Sequence, residues 1–262
     1  MLCPSYWTSV NCSWAPGKRI TVRYEDPPLF EAVKYDNTGM VKLLLSRGAS
    51  LKDRNLVGHT LLHTTTEYNA QKVFDLIVTD APKDEVDQQG NTALHYAVNY
   101  GHVNLTARLL AAGADVNATN TRMVTPQHLA VRRGRVDIAR MLLVNGKADP
   151  NTKDYTGNTP LLDAIVPDEA SFAEEEFFFF FQSGATVVEE QPERIHVALA
   201  QLLLSHGADV NVENDTSGYS PLHQALRDGY KRTAAVLLAR GADEEQVWGD
   251  TVACGCRFRR EC

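Results

Sequence analysis

His63, His95 and His128 recur about every 33 residues, and His223 stands in the same local motif. Regularly spaced imidazoles are the raw material of a zinc site, which holds nitrogen at about 2.0–2.1 Å. Such ligands must converge within a few ångströms. Histidines one structural unit apart are separated by roughly a helix-packing distance, about 10 Å, so they cannot share an ion. Cys254, Cys256 and Cys262 stand among arginines in "CGCRFRREC", with no fourth ligand and no folded loop to hold them. No glycine-rich phosphate loop, nucleophile–base signature or catalytic carboxylate pair is visible. The chain is expected to have no catalytic, cofactor-binding or metal-binding residues, and to act as something other than an enzyme.

The composition permits a large folded body. The chain has 262 residues, 44% hydrophobic and 23% charged, an ordinary soluble balance. Its formal charge of −7 is local, because eight acids and one base lie between Val166 and Arg194. The remainder is neutral, which argues against a nucleic-acid binder resting on a basic field. Cys3, Cys12, Cys254, Cys256 and Cys262 all sit in the two tails, whereas a disulfide framework would run through the domain. A reducing compartment is therefore expected, cytoplasm or nucleus or both. No charged-then-apolar leader opens the sequence and no apolar run approaches 18 residues, so neither secretion nor a membrane span is expected.

The histidines belong to a repeated element. "TALHYA" begins at Thr92, "TPQHLA" at Thr125, "TPLLDA" at Thr159 and "SPLHQA" at Ser220, with weaker copies "TLLHTT" at Thr60 and "PPLFEA" at Pro27. The first five starts are spaced by 33, 32, 33 and 34 residues. A second motif keeps step: "RGAS", "AGADVN", "NGKADPN", "HGADVN" and "RGAD". Thr or Ser before Pro reads as a helix N-cap with Pro in the first turn. The pairs Leu44-Leu45, Leu109-Leu110, Leu142-Leu143, Leu203-Leu204 and Leu237-Leu238 fall late in a second helix and are expected to face the core. Gly48, Gly113, Gly146, Gly207 and Gly241 are expected to end that helix in the left-handed conformation. The second repeat lacks this glycine, so its second helix should be irregular near Ala81 and Pro82. Lys231 and Thr233, where the third repeat has Val103 and Leu105, suggest a polar outer face capping the last repeat.

These motifs closely resemble the ankyrin repeat over roughly residues 24–247. The resemblance implies an all-α solenoid of about six stacked helix–turn–helix repeats with short β-hairpin-like turns. It also implies that His63, His95, His128 and His223 hydrogen-bond the backbone near the turns. Leu162 replaces this histidine in the fifth repeat, which should weaken the local network. Residues 1–23 show no period and read as an unstructured N-terminal segment. Residues 248–262 read as a C-terminal tail, and "GDT" at Gly249 to Thr251 echoes the opening of a further, truncated repeat.

The fifth repeat is interrupted. Thr159 to Gly207 spans 48 residues where other repeats take 21, and the excess falls at the join between its helices, within 166–194. Here lies "AEEEFFFFFQSGA", with five consecutive phenylalanines, Phe177 to Phe181. The first reading is that residues 166–182 are a translated in-frame retained intron, since "FFFFFQ" can be encoded by a pyrimidine tract followed by CAG. The second is a segment folded back on its own array, and the third a docking arm that orders against a partner.

Eight residues after the first four helix starts lie Tyr35, Tyr68, Tyr100 and Arg133, with Lys34, Glu67, Asn99 and Arg132 beside them. In ankyrin repeats this position faces the concave surface, which would align the four along a groove. Tyrosine and arginine are the side chains most enriched in binding hot spots; the competing reading is that the tyrosines cap helix ends and pack on their neighbours. Leu56, Val57, Tyr155 and Tyr219 add apolar or aromatic turn tips. The function expected is a monomeric interaction module (adaptor, scaffold or inhibitory subunit) holding a protein partner across repeats one to four. The alternative is a regulatory array belonging to a longer enzyme, channel or ubiquitin-ligase adaptor.

Overall fold

The computed structural model describes residues 26–165 and 191–243. The N-terminal segment 1–23, the phenylalanine run, the span 166–182 and the tail 248–262 lie outside the described residues. The described chain forms six helix pairs. Their first helices are α1 (Pro28–Lys34), α3 (Leu61–Glu67), α5 (Ala93–Tyr100), α7 (Pro126–Arg132), α9 (Pro160–Asp163) and α11 (Pro221–Arg227). Their second helices are α2 (Thr38–Ser46), α4 (Gln71–Ile77), α6 (Val103–Ala111), α8 (Val136–Val144), α10 (Gln191–Ser205) and α12 (Lys231–Ala239). First helices stack on first helices, as α3 on α5 and α5 on α7, while α10 packs between α8 and α12. This is an all-α solenoid of two helical layers.

The starts follow from the caps. Thr60, Thr92, Thr125 and Ser220 take extended backbone and share a capping box with the histidine three residues on. Pro126, Pro160 and Pro221 occupy the first turn, where no N–H is needed. Behind them one core runs along the array, from Leu29 and Phe30 through Phe74, Leu94, Leu109, Leu142 and Leu161 to Leu203 and Leu237. No single hairpin could bury its own apolar face, so stacking supplies the stability.

The turns are not β-hairpins: no strand forms among the described residues. Each turn closes instead on a single side chain. Asn120 Oδ1 accepts from the N–H groups of Arg122 and Val124, as Asp87 Oδ1 does from Gln89 and Asn91. These bonds use the donors a strand pair would need. Neighbouring turns are joined by single backbone bonds, Thr121 N–H to Gln89 O at 3.0 Å and Tyr155 N–H to Arg122 O at 3.1 Å.

Three local expectations need correction. Gly146 is not left-handed; Lys147 is, with φ 58°. Here the chain runs one residue further before turning, so that Ala148 N–H bonds Leu142 O. Gly146 is needed for space, because a Cβ there would lie 2.8 Å from both Leu142 O and Val116 Cγ2. Thr233 does not form an outer face but is fully buried. Its helical position faces the preceding repeat, and the matching residue in the first repeat, Met40, is exposed. Leu238 is exposed rather than in the core, as is Leu226 beside it, while the matching Leu143 and Val131 are buried by the repeat that follows them. In the second repeat α4 ends at Ile77, with no left-handed residue between Asn69 and Gly90, the irregular end its missing glycine implies.

Candidate partner-binding groove

The motif histidines fix the frame on which the site is built. His63, His95 and His128 each accept at Nδ1 from the backbone N–H of their own cap residue, at 3.1, 3.1 and 3.2 Å. Their Nε2 atoms face the carbonyls of Asn91, Val124 and Asn158, in the turn leading to the next repeat. A carbonyl only accepts, so Nε2 carries the proton and the ring is neutral. Burial pushes all three imidazoles down to about 4. Both nitrogens are thus engaged within the repeats. Among the described residues no group of three or more His, Cys, Asp or Glu side chains could hold a metal. Leu162 cannot make the bridge, and the Thr159 hydroxyl, buried beside it, has no hydrogen-bond partner among the described residues.

The expected row stands at the ends of the first helices. Tyr35, Tyr68 and Arg133 are the C-cap residues of α1, α3 and α7, and Tyr100 is the last residue of α5. Tyr35 is 81% exposed, Tyr68 47% and Tyr100 45%. Contacts link the first rung to the second and the third to the fourth. The Lys34 ammonium lies 5.7 Å from the centre of the Tyr68 ring. Tyr100 stacks on Tyr96 and on His102, and its hydroxyl is shifted up by burial and then by Glu67 and Tyr68. Arg133 Nε donates to Asn99 Oδ1 at 3.2 Å. Tyr35 and Tyr68 thus cap a helix end and Tyr100 ends one just before its Gly101 cap, each of the three about half-exposed or more.

The flanking residues divide. Lys34 pairs with Asp26 and Glu31, both at 2.8 Å, and Glu67 approaches His59 at 3.4 Å. Arg132 turns inward, with Nη2 2.5 Å from Asp154 and Nε 2.7 Å from Asp163. Burial pushes the Asp163 carboxyl up to about 7 even beside this guanidinium. Burial works to raise Asp154 as well, yet hydrogen bonds from Thr156, Asn158 and Arg132 hold it below the ordinary carboxylate range. Leu56, Val57 and Tyr155 are exposed at the turn tips. Tyr219 is half-buried, stacked on His223 with the Arg227 guanidinium over its ring.

Two features escaped the sequence reading. His59 Nε2 lies 2.8 Å from the Tyr96 hydroxyl, which donates to Asp87 at 2.7 Å, forming a largely buried polar network whose Tyr96 ring stacks on Tyr100. Its members come from a turn, a helix and the next turn, so no single motif announces it. Met123, half-exposed at a tip, stands where the other turns carry glycine, a departure that shows only when the turns are aligned with one another.

A stacked array of helix pairs repeated about every 33 residues defines a helical repeat solenoid. Two ankyrin-repeat profiles, for three copies and for many copies, match residues 29–120 and 109–161. The chain belongs to the ankyrin-repeat family, and its general role is that of a protein–protein interaction module. It is 32% identical over 139 residues to the chicken nuclear factor NF-kappa-B p105 subunit, covering 51% of this chain and 14% of that protein. Over 248 residues it is 25% identical to the human transient receptor potential cation channel subfamily A member 1, covering 90% of this chain and 20% of the channel. A solved ankyrin repeat domain from Acinetobacter baumannii superposes with a TM-score of 0.68 at 26% identity, covering 82% of this chain and 98% of that one. The chain spans less than a third of the length of the curated relatives it matches.

Proposed function

We propose that the chain binds a protein partner through the groove lined by Tyr35, Tyr68, Tyr100 and Arg133, across repeats one to four, as an adaptor, scaffold or inhibitory subunit. The observation that carries this reading is the exposure of Tyr35, Tyr68, Tyr100 and Arg133 at four successive first-helix ends, with Lys34 over the Tyr68 ring and Arg133 bonded to Asn99. Lys34, Glu67 and Asn99 flank the groove, Arg132 braces it from beneath, and Leu56, Val57, Tyr155 and Tyr219 border it at the tips. A rigid, preformed surface spares the ordering cost that weakens association. Cytoplasm or nucleus is the compartment we propose. The test replaces Tyr68 and Tyr100 together by alanine in the full chain and measures both melting and the set of proteins captured. Lost capture with unchanged melting supports the groove; lost melting with retained capture assigns the tyrosines to packing and refutes it.

A second reading, favoured by the exposed Leu226 and Leu238, is that the array continues beyond residue 243 as part of a longer protein, such as an enzyme, channel or ubiquitin-ligase adaptor. A longer transcript encoding further repeats would support it.

A further inference from the structure

Five turns join the six repeats, and four of them carry glycine at the same place: Gly58, Gly90, Gly157 and Gly218, with φ of 81°, 78°, 82° and 69°. In the remaining turn that place belongs to Met123, at φ 55°. The turn around it is unchanged. Asn120 N–H bonds Val124 O, and Asn120 Oδ1 accepts from Arg122 and Val124, as in its neighbours. A side chain disfavours this backbone region, through the clash of Cβ with the following carbonyl oxygen. Burial does not compensate, because Met123 is 52% exposed. Glycine would build the same turn without the conflict, so nothing within the fold explains the methionine.

Its surroundings point outward. The Tyr155 tip is joined to this turn through Arg122 O, so Met123 and Tyr155 belong to adjoining, exposed tips. A thioether on a flexible stem suits apolar contact with a partner. Charge selects the partner. Arg54, Lys34, Arg132 and Lys153 each pair with a carboxylate. Arg122, next to Met123, and Arg133, at the end of the tyrosine row, are exposed and have no carboxylate in ion-pair range among the described residues.

We propose that Met123 is an anchoring contact, and that the partner segment is an extended chain carrying acidic side chains beside apolar ones. The acids face Arg122 and Arg133, and the apolar side chains rest on Met123 and Tyr155. Local backbone strain kept at an exposed tip is then strain used for binding. The inference rests on the groove reading above and names the chemistry of its occupant.

The test is to pan a random peptide display library on the full chain and titrate enriched peptides against variants. Enriched sequences should combine Asp or Glu with Leu, Met or Phe. Met123→Gly should weaken their binding about tenfold or more while melting stays level or rises. Arg122→Glu with Arg133→Glu should weaken it as well, and added salt should weaken the native interaction. Absence of enrichment, enriched peptides without acids, or native-like binding by Met123→Gly would each overturn the proposal. If Tyr68→Ala with Tyr100→Ala abolishes binding and Met123→Gly does not, the groove stands and this inference alone fails. If neither matters, both fail.

Discussion

Gln127 fills a place that leucine holds in every other repeat, as Leu29, Leu62, Leu94, Leu161 and Leu222. It is fully buried, and neither Nε2 nor Oε1 has a hydrogen-bond partner among the described residues. A buried polar group left unsatisfied costs about 1–3 kcal/mol, and an apolar side chain of similar size removes that cost. Gln127→Leu is therefore expected to raise stability by about 1–3 kcal/mol, read as a higher urea midpoint at unchanged slope. An unchanged or lower midpoint would show that the amide is satisfied after all. Gly113 tests the opposite case. Its φ is 84° and a Cβ would meet nothing within 4 Å, so only the backbone resists substitution. Gly113→Val should lower stability by about 1–2 kcal/mol, and equal melting of the two chains would contradict the left-handed cap. The glycine at the end of a second helix was legible in four repeats because one spacing recurs. It misled at Gly146, where one added residue moves the left-handed position to Lys147; the 34-residue step from Thr125 to Thr159 was the only trace.

Among the elements, the fifth hairpin shows how a fold survives interruption. In the other repeats a first-helix carbonyl receives the backbone N–H that opens the second helix: Ala97 O from His102, Ala130 O from Arg135, Ala225 O from Tyr230. In the fifth repeat α9 ends at Asp163, and the position that would return this bond lies outside the described residues. Ala164 O accepts from the side chain of His196, Nδ1 at 2.6 Å, and the imidazole stacks on Tyr230 at 4.7 Å. His196 thus links α9, α10 and the last repeat. His196→Ala should cost about 1–3 kcal/mol, since it strands a buried carbonyl and removes a packed ring. The loss should be local, with faster amide exchange in α9 through α12 and none in α3 through α6; uniform acceleration along the array would argue against this role. Helix starts were legible wherever Thr-Pro or Ser-Pro announces the cap. The length of α10 was not, because its first residues fall inside the stretch that breaks the 33-residue phase. His196 stayed hidden for the same reason: its partner lies 32 residues earlier, across the insertion.

At the scale of the whole molecule, the repeated histidines make stability a function of pH. Burial holds His63, His95 and His128 at about 4 in the folded state, against 6.5 for the free side chain. Below about pH 6.5 the unfolded chain takes up protons that the folded chain refuses. The stabilisation is therefore complete above 6.5 and is lost as pH falls towards 4. Asp163 acts in the other direction. Its folded carboxyl is raised from 3.8 to about 7, so its contribution is present at low pH and disappears as pH rises through that range. Between these limits three histidines oppose one aspartate, and stability should fall with acidification by roughly 2–3 kcal/mol per pH unit near pH 5. Because the histidines bridge successive turns, protonating one loosens the join between repeats rather than a single loop. Acid unfolding should therefore begin by uncoupling neighbours, with broader urea transitions as well as lower midpoints. Urea titrations at several pH values from about 7 down to about 4.5 provide the measurement. A flat stability profile across that window would mean that the imidazoles accept protons in place, and that the bridges to Asn91, Val124 and Asn158 do not hold the array together.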